Sequence, residues 1–144
     1  QKADRLARDH LEKRVSVALE TVFSDQHGFK LELLKAARSA GFGTIVIFIG
    51  VNHPQISISR VAQRVEDSGH DVPDHVIEDR FPRSFENLKS AIGIADCVIL
   101  FDNSFDRGYT RIGVIRDRRI VDLATKLPNW FMEFDIHSVI SGGE

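Results

Sequence analysis

"TIVIFIG", residues 44 to 50, is apolar almost without a break and closes on a glycine. A run this short and β-branched suits a strand buried on both faces of a parallel sheet. A second run of the same kind, "DCVILFD", occupies residues 96 to 102. Between them, "QISISRVAQRVED" (55–67) places Ile58, Val61, Ala62 and Val65 at i, i+3, i+4 and i+7, the stripe of an amphipathic helix. Two short helices are expected to follow, broken at Pro82, because the residue before a proline resists the helical region.

Working outward, "VSVALETVF" (15–23) reads as a further strand with Glu20 near its C-terminal end. "FKLELLKAARSAG" (29–41) reads as a helix through Leu31, Leu34 and Ala37, stopped by Gly41. An opening helix to about Arg14 sets Leu6 and Leu11 on one side. Downstream, "IGVIRDRRIVDL" (112–123) predicts a hairpin turning at Asp117-Arg118. "LPNWF" (127–131) is expected to pack its aromatics over a sheet edge, and "SGGE" (141–144) to fray. The alternation of strands and helices predicts an α/β fold with a mostly parallel sheet flanked by helices.

The totals agree with one globular domain. The chain has 144 residues, of which 42% are hydrophobic and 28% charged, and a formal charge of -2. That balance argues against nucleic acid, which requires a basic surface. No apolar run approaches the ~20 residues of a membrane span. The single cysteine, Cys97, lies inside an apolar strand and reads as a buried thiol of a reducing compartment, the cytosol. His70 and His75 have no partners at metal-ligand spacing, so no metal site is expected.

In open α/β sheets the ligand site lies beyond the carboxyl ends of the strands. Here those ends are polar: Glu20-Thr21 with Ser24-Asp25, then Gly50-Val51-Asn52, then Asp102-Asn103-Ser104. The last of these equally suits a tight Asx turn, and Ser24-Asp25 a helix-capping turn. Arginines gather nearby. Arg60 and Arg64 sit one turn apart opposite the apolar stripe, and Arg80 and Arg83 follow across the loop "SGHDVPD" (68–74). Residues 60 to 89 hold five basic and seven acidic side chains, so this is no general basic patch. Guanidinium groups suit phosphate oxygens, and a helix–loop–helix carrying them can close as a lid. Ion pairs with Glu66, Asp67, Glu78 or Asp79 on a solvated face are, from the residues alone, the simpler reading. His70, beside Gly69, could face a phosphate or cap the turn.

"ETVFSD" (20–25), "GFGTIVIFIG" (41–50), "ISRVAQRV…GHDVP…RFPRS…NL" (58–88) and "DCVILFDNS" (96–104), in this order, resemble the zeta-toxin-like P-loop kinases. The resemblance runs from about Ala3 to Leu123. It implies a P-loop NTPase-like fold over 1–144, with an arginine-bearing helical lid at about 55–92 and a C-terminal hairpin. It also implies transfer of the γ-phosphoryl group of ATP, with Mg2+, to a small molecule, in zeta toxins a hydroxyl of UDP-N-acetylglucosamine. An antitoxin protein is the partner so implied.

By the same resemblance Arg64 and Arg80 contact ATP phosphates and neutralise charge during transfer. Arg60, Arg83 and His70 assist at the phosphates, and Glu20, Thr21, Ser24 and Asp25 face the acceptor. The 144 residues depart from the pattern in one large respect. They contain no Walker A segment, G-x-x-x-x-G-K-[ST], and no counterpart of the family's general-base aspartate. Both parts are expected ahead of Gln1, so the domain is read as N-terminally incomplete and the isolated chain as inactive. The alternative is a non-catalytic nucleotide-sugar or partner-binding module that has lost its P-loop.

Overall fold

The computed structural model describes residues 2–141. Gln1 and the expected fraying of Gly142–Glu144 lie outside the described residues. The apolar run at 44–50 becomes strand β1 (Ile45–Gly50), and the second run becomes β2 (Cys97–Asp102). They pair in parallel, from Ile45 opposite Cys97 to Gly50 opposite Asp102. Strands β3 (Thr110–Arg116) and β4 (Arg119–Leu123) complete a sheet of order β1-β2-β3-β4. The fold is α/β, with helices as expected. Parallel pairing is confined to β1–β2, however, because the hairpin and its junction with β2 supply the two antiparallel pairs. The hairpin turns where the sequence indicates. Asp117 and Arg118 both adopt positive φ (48° and 64°), the two-residue turn whose twist matches the flanking strands.

β1 is covered on one face only among the described residues. Phe48 is buried, whereas Ile45, Ile47 and Ile49 are 65%, 62% and 49% exposed. The expectation of burial on both faces fails because the covering helix α4 and the aromatic core lie on the Phe48 side.

The expected strand at 15–23 does not form. The segment is irregular, and Val15, Val17, Leu19 and Val22 are exposed. β-branched residues favour a strand only where a neighbouring strand supplies the ladder, and this segment has none in the described sheet.

Helices α1 (Lys2–Glu12) and α2 (Phe29–Ser39) share a small core of Ala7, Leu11 and Leu33, while Leu6 faces solvent. An Asp4–Lys30 ion pair joins them. The bonded Lys30 ammonium holds the Asp4 carboxyl at about 2. Behind β1, Asp96 accepts the Thr44 N–H and hydroxyl at 2.8 and 2.9 Å. Those bonds, with the Arg38 guanidinium, hold its carboxyl below the usual range.

The crossover from β1 to β2 runs through α3 (Pro54–Glu66) and α4 (Asp74–Ile92). α4 is a single helix through Pro82, not two. A proline inside a helix costs about 3 kcal/mol, and Pro82 sits on the exposed side, where the orphaned Glu78 carbonyl can be hydrated. On the inner side Phe85, Leu88 and Ile92 are fully buried. At roughly 1.5–3 kcal/mol each their burial outweighs the break.

Helix α5 (Asn129–Glu133) carries Trp130 and Phe131, which are wholly buried in the main core instead of lying over a sheet edge. The Trp130 indole lies against Gly50, where a Cβ would come within 2.5 Å of the ring. Glycine at the end of "TIVIFIG" is therefore the space that admits the tryptophan. A 3-10 turn (Ile136–Val139) follows, and Ser141 bridges to Arg119.

Candidate functional site

One cleft opens at the carboxyl end of β1, and a second adjoins it beside the loop 21–26. The first, of about 300 Å³, has a mainly apolar wall that includes Phe48, Val61, Phe81 and Phe85, with Gly50 and Val51 from the strand end, Ser57 and Arg64 from α3, and Arg80 from α4. The second, of about 440 Å³, is walled by residues 21–26 together with Arg80 and Arg83. Arg80 and Val22 belong to both walls. The clefts are therefore neighbours that share these two residues.

Arg64 is placed by the way α3 ends. Ser68 takes the left-handed conformation (φ 72°), and its N–H bonds the Val65 carbonyl at 3.0 Å. The Gly69 N–H reaches back to the Arg64 carbonyl at 2.7 Å. This pair of reversed bonds is a Schellman ending. A Cβ on Gly69 would fall 2.6 Å from the Arg64 carbonyl oxygen, so the close return requires glycine there. The Arg64 side chain is exposed, and its Nε donates to the Arg60 carbonyl at 3.4 Å.

The second cleft is held differently. Arg83 spends its Nε–H on the Ser24 carbonyl at 3.2 Å. Asn87, one turn further along α4, donates from Nδ2 to the carbonyls of Phe23 (2.9 Å) and Asp25 (3.3 Å). Asp25 accepts the Lys30 N–H at 3.4 Å, near the start of α2, so its carboxylate caps that helix while also lining the cleft.

The polar rim at Asp102-Asn103-Ser104 is engaged internally. The Asp102 Oδ1 accepts the Trp130 indole N–H at 3.0 Å and the Ser104 hydroxyl at 2.5 Å. The Ser104 Oγ in turn accepts the Asn52 N–H, and the Asn103 N–H donates to the Gly50 carbonyl. These residues fasten the ends of β1 and β2 together.

Of the nine residues singled out from sequence, the structure puts Arg64 and Arg80 on the first cleft and Thr21, Ser24, Asp25, Arg80 and Arg83 on the second. Glu20, Arg60 and His70 line neither; Glu20 and His70 are exposed. Sequence reasoning missed Asn87 as an anchor. Its signal was spacing, since 80, 83 and 87 fall on one face of a helix. Among the described residues no group of three or more His, Cys, Asp or Glu could hold a metal ion.

The family profile described as Zeta toxin matches residues 2–108. The chain belongs to the zeta toxin family. The match takes in both clefts and ends before the β3–β4 hairpin, so the hairpin and the α5 aromatics lie beyond it. No curated protein and no solved structure matches the chain. Zeta toxin membership indicates a kinase-like or nucleotide-binding function and implies a toxin–antitoxin context. No helix among the described residues is long and apolar enough to cross a membrane.

Proposed function

We propose that this zeta toxin domain serves an ATP-dependent phosphotransferase, with the first cleft taking the nucleotide phosphates and the second the hydroxyl-bearing acceptor. The observation that carries the proposal is Arg80, which lines both clefts at once. Its guanidinium would touch the group in transit, while Arg64 would grip the donor side. Such charge neutralisation and positioning supply most of the catalysis of phosphoryl transfer.

Arg64 and Arg80 supply two permanently charged forks suited to the phosphates of ATP, in a cleft otherwise lined mainly by apolar side chains. Mg2+ ordinarily accompanies nucleotide phosphates and would neutralise their charge; no residue of this chain is assigned to it. Thr21 and Ser24 offer hydroxyls to an acceptor such as a UDP-N-acetyl sugar, and Arg80 and Arg83 offer charge to its diphosphate. We place the protein in the cytoplasm with an antitoxin as partner, on the strength of the family and of the free, buried Cys97.

The 144 residues contain no Walker A segment, which favours a second reading, a binding module without turnover. Calorimetric titration with ATP, and separately with UDP-N-acetylglucosamine, tests the main proposal. Binding of both, with ATP weakened by Arg64→Ala and UDP-N-acetylglucosamine unaffected by it, is the expected result. Failure of either ligand to bind would remove the cleft assigned to it. Binding without phosphate release is expected of these residues by themselves. Measurable transfer would dispose of the second reading.

A further inference from the structure

We infer that Asn87 is a positioning residue, which with Arg83 registers the acceptor-facing loop 21–26 to the helix that carries Arg80. The inference rests on reading the second cleft as the acceptor side. Arg80, Arg83 and Asn87 fall on one face of α4, and the last two bond three successive main-chain carbonyls, those of Phe23, Ser24 and Asp25.

The loop has little else to fix it. Residues 15–25 belong to no helix or strand. Its other ties are the Phe23 N–H to the Thr21 hydroxyl at 3.1 Å, the Asp25 cap on α2, and the partly buried Phe23 ring against the main core. Phe23 itself is held at φ 60°, a region that a bulky side chain occupies only when its surroundings over-determine it. The 2.9 Å bond from Asn87 lands on the carbonyl of that strained residue.

Arginine and asparagine serve different ends in this arrangement. Arg83 contributes one Nε–H to the loop and still lines the cleft, whereas Asn87 lies outside both walls and acts only through the loop. Removing its amide frees Phe23 and Asp25 without touching a ligand. Thr21 and Ser24 then lose their fixed distance from Arg80, and the first cleft keeps its arginines.

The test compares wild type with Asn87→Ala, and with Asn87→Asp, which keeps the volume but replaces both donors by acceptors should the alanine variant not fold. Backbone 15N order parameters of residues 21–26 are expected to fall from the rigid range near about 0.85 to the flexible range below about 0.6. Affinity for UDP-N-acetylglucosamine is expected to fall roughly tenfold, as loss of two partly buried hydrogen bonds implies. Affinity for inorganic tripolyphosphate should stay within about twofold, a split that general destabilisation would not produce. Unchanged order parameters would overturn the inference whatever the ligands do. Loosened order parameters with no sugar-nucleotide binding by wild type would instead sink the acceptor reading and leave the hold of Asn87 on the loop supported.

Discussion

Replacing Gly50 by alanine asks whether the strand end and the tryptophan share the space the structure gives them. A Cβ built on Gly50 lies 2.5 Å from Cε2 and 2.8 Å from both Cζ2 and Nε1 of Trp130. Carbon atoms rest at about 3.5–4.0 Å, so the ring would have to withdraw by about 1 Å. It has no free direction: Trp130 is wholly buried, with Phe48 and Phe85 centroids at 5.9 and 5.5 Å. Overpacking of this kind costs about 1–3 kcal/mol. Withdrawal also stretches the 3.0 Å bond from the indole N–H to buried Asp102, which adds about 1 kcal/mol because Ser104 still satisfies the carboxylate. The expected loss is therefore about 2–4 kcal/mol.

Urea unfolding followed by circular dichroism measures this loss, and Gly43→Ala is the control. Nothing stands within 4 Å of a Cβ at Gly43, so that variant should be neutral or gain up to about 1 kcal/mol. A Gly50→Ala loss below about 0.5 kcal/mol, or one no larger than the control's, would refute the packing argument.

Three further outcomes are expected. Ser68→Gly should stabilise the chain by about 0.5–1 kcal/mol in the same assay, because Ser68 occupies the left-handed position of the Schellman ending that glycine takes without strain. Asp96→Asn should destabilise at neutral pH. Its carboxyl is held below its ordinary value, so its contribution is full above that value, near about 4, and vanishes as pH falls through the folded one. Wild type and variant unfolding curves should thus converge in acid, and a difference that persists or widens there would contradict the role of the Thr44 bonds. Trp130→Phe should cost stability by leaving Asp102 short of its indole donor, while Asp102→Asn together with Trp130→Phe should cost less than the sum of the two; a strictly additive double mutant would deny the bond.

The sequence was most readable where chemistry and periodicity coincided. The runs at 45–50 and 97–102 are strands, and the Asp117-Arg118 turn is where two residues between apolar runs put it. The arginine helices are in place, although Pro82 misled: the rule about the residue before proline is local, and burial of the Phe85–Ile92 side decided otherwise. The segment 15–23 misled for the converse reason, since propensity for a strand cannot create the neighbour that completes it. At the clefts, residue type marked Arg64 and Arg80 as phosphate-suited, but only three-dimensional placement showed that Arg80 lines both. The same holds for Arg60, Glu20 and His70, which lie off both walls, and for Asn87, whose role depends on a loop 62 and 64 residues earlier in the chain.

Arg80 is the residue on which the account turns, and its replacement by alanine is the most direct measurement. Titration of the variant with tripolyphosphate and with UDP-N-acetylglucosamine should show both affinities reduced by roughly tenfold or more. Arg64→Ala, measured alongside, should weaken tripolyphosphate alone. Loss of one ligand with full retention of the other in Arg80→Ala would contradict the claim that a single guanidinium serves both clefts.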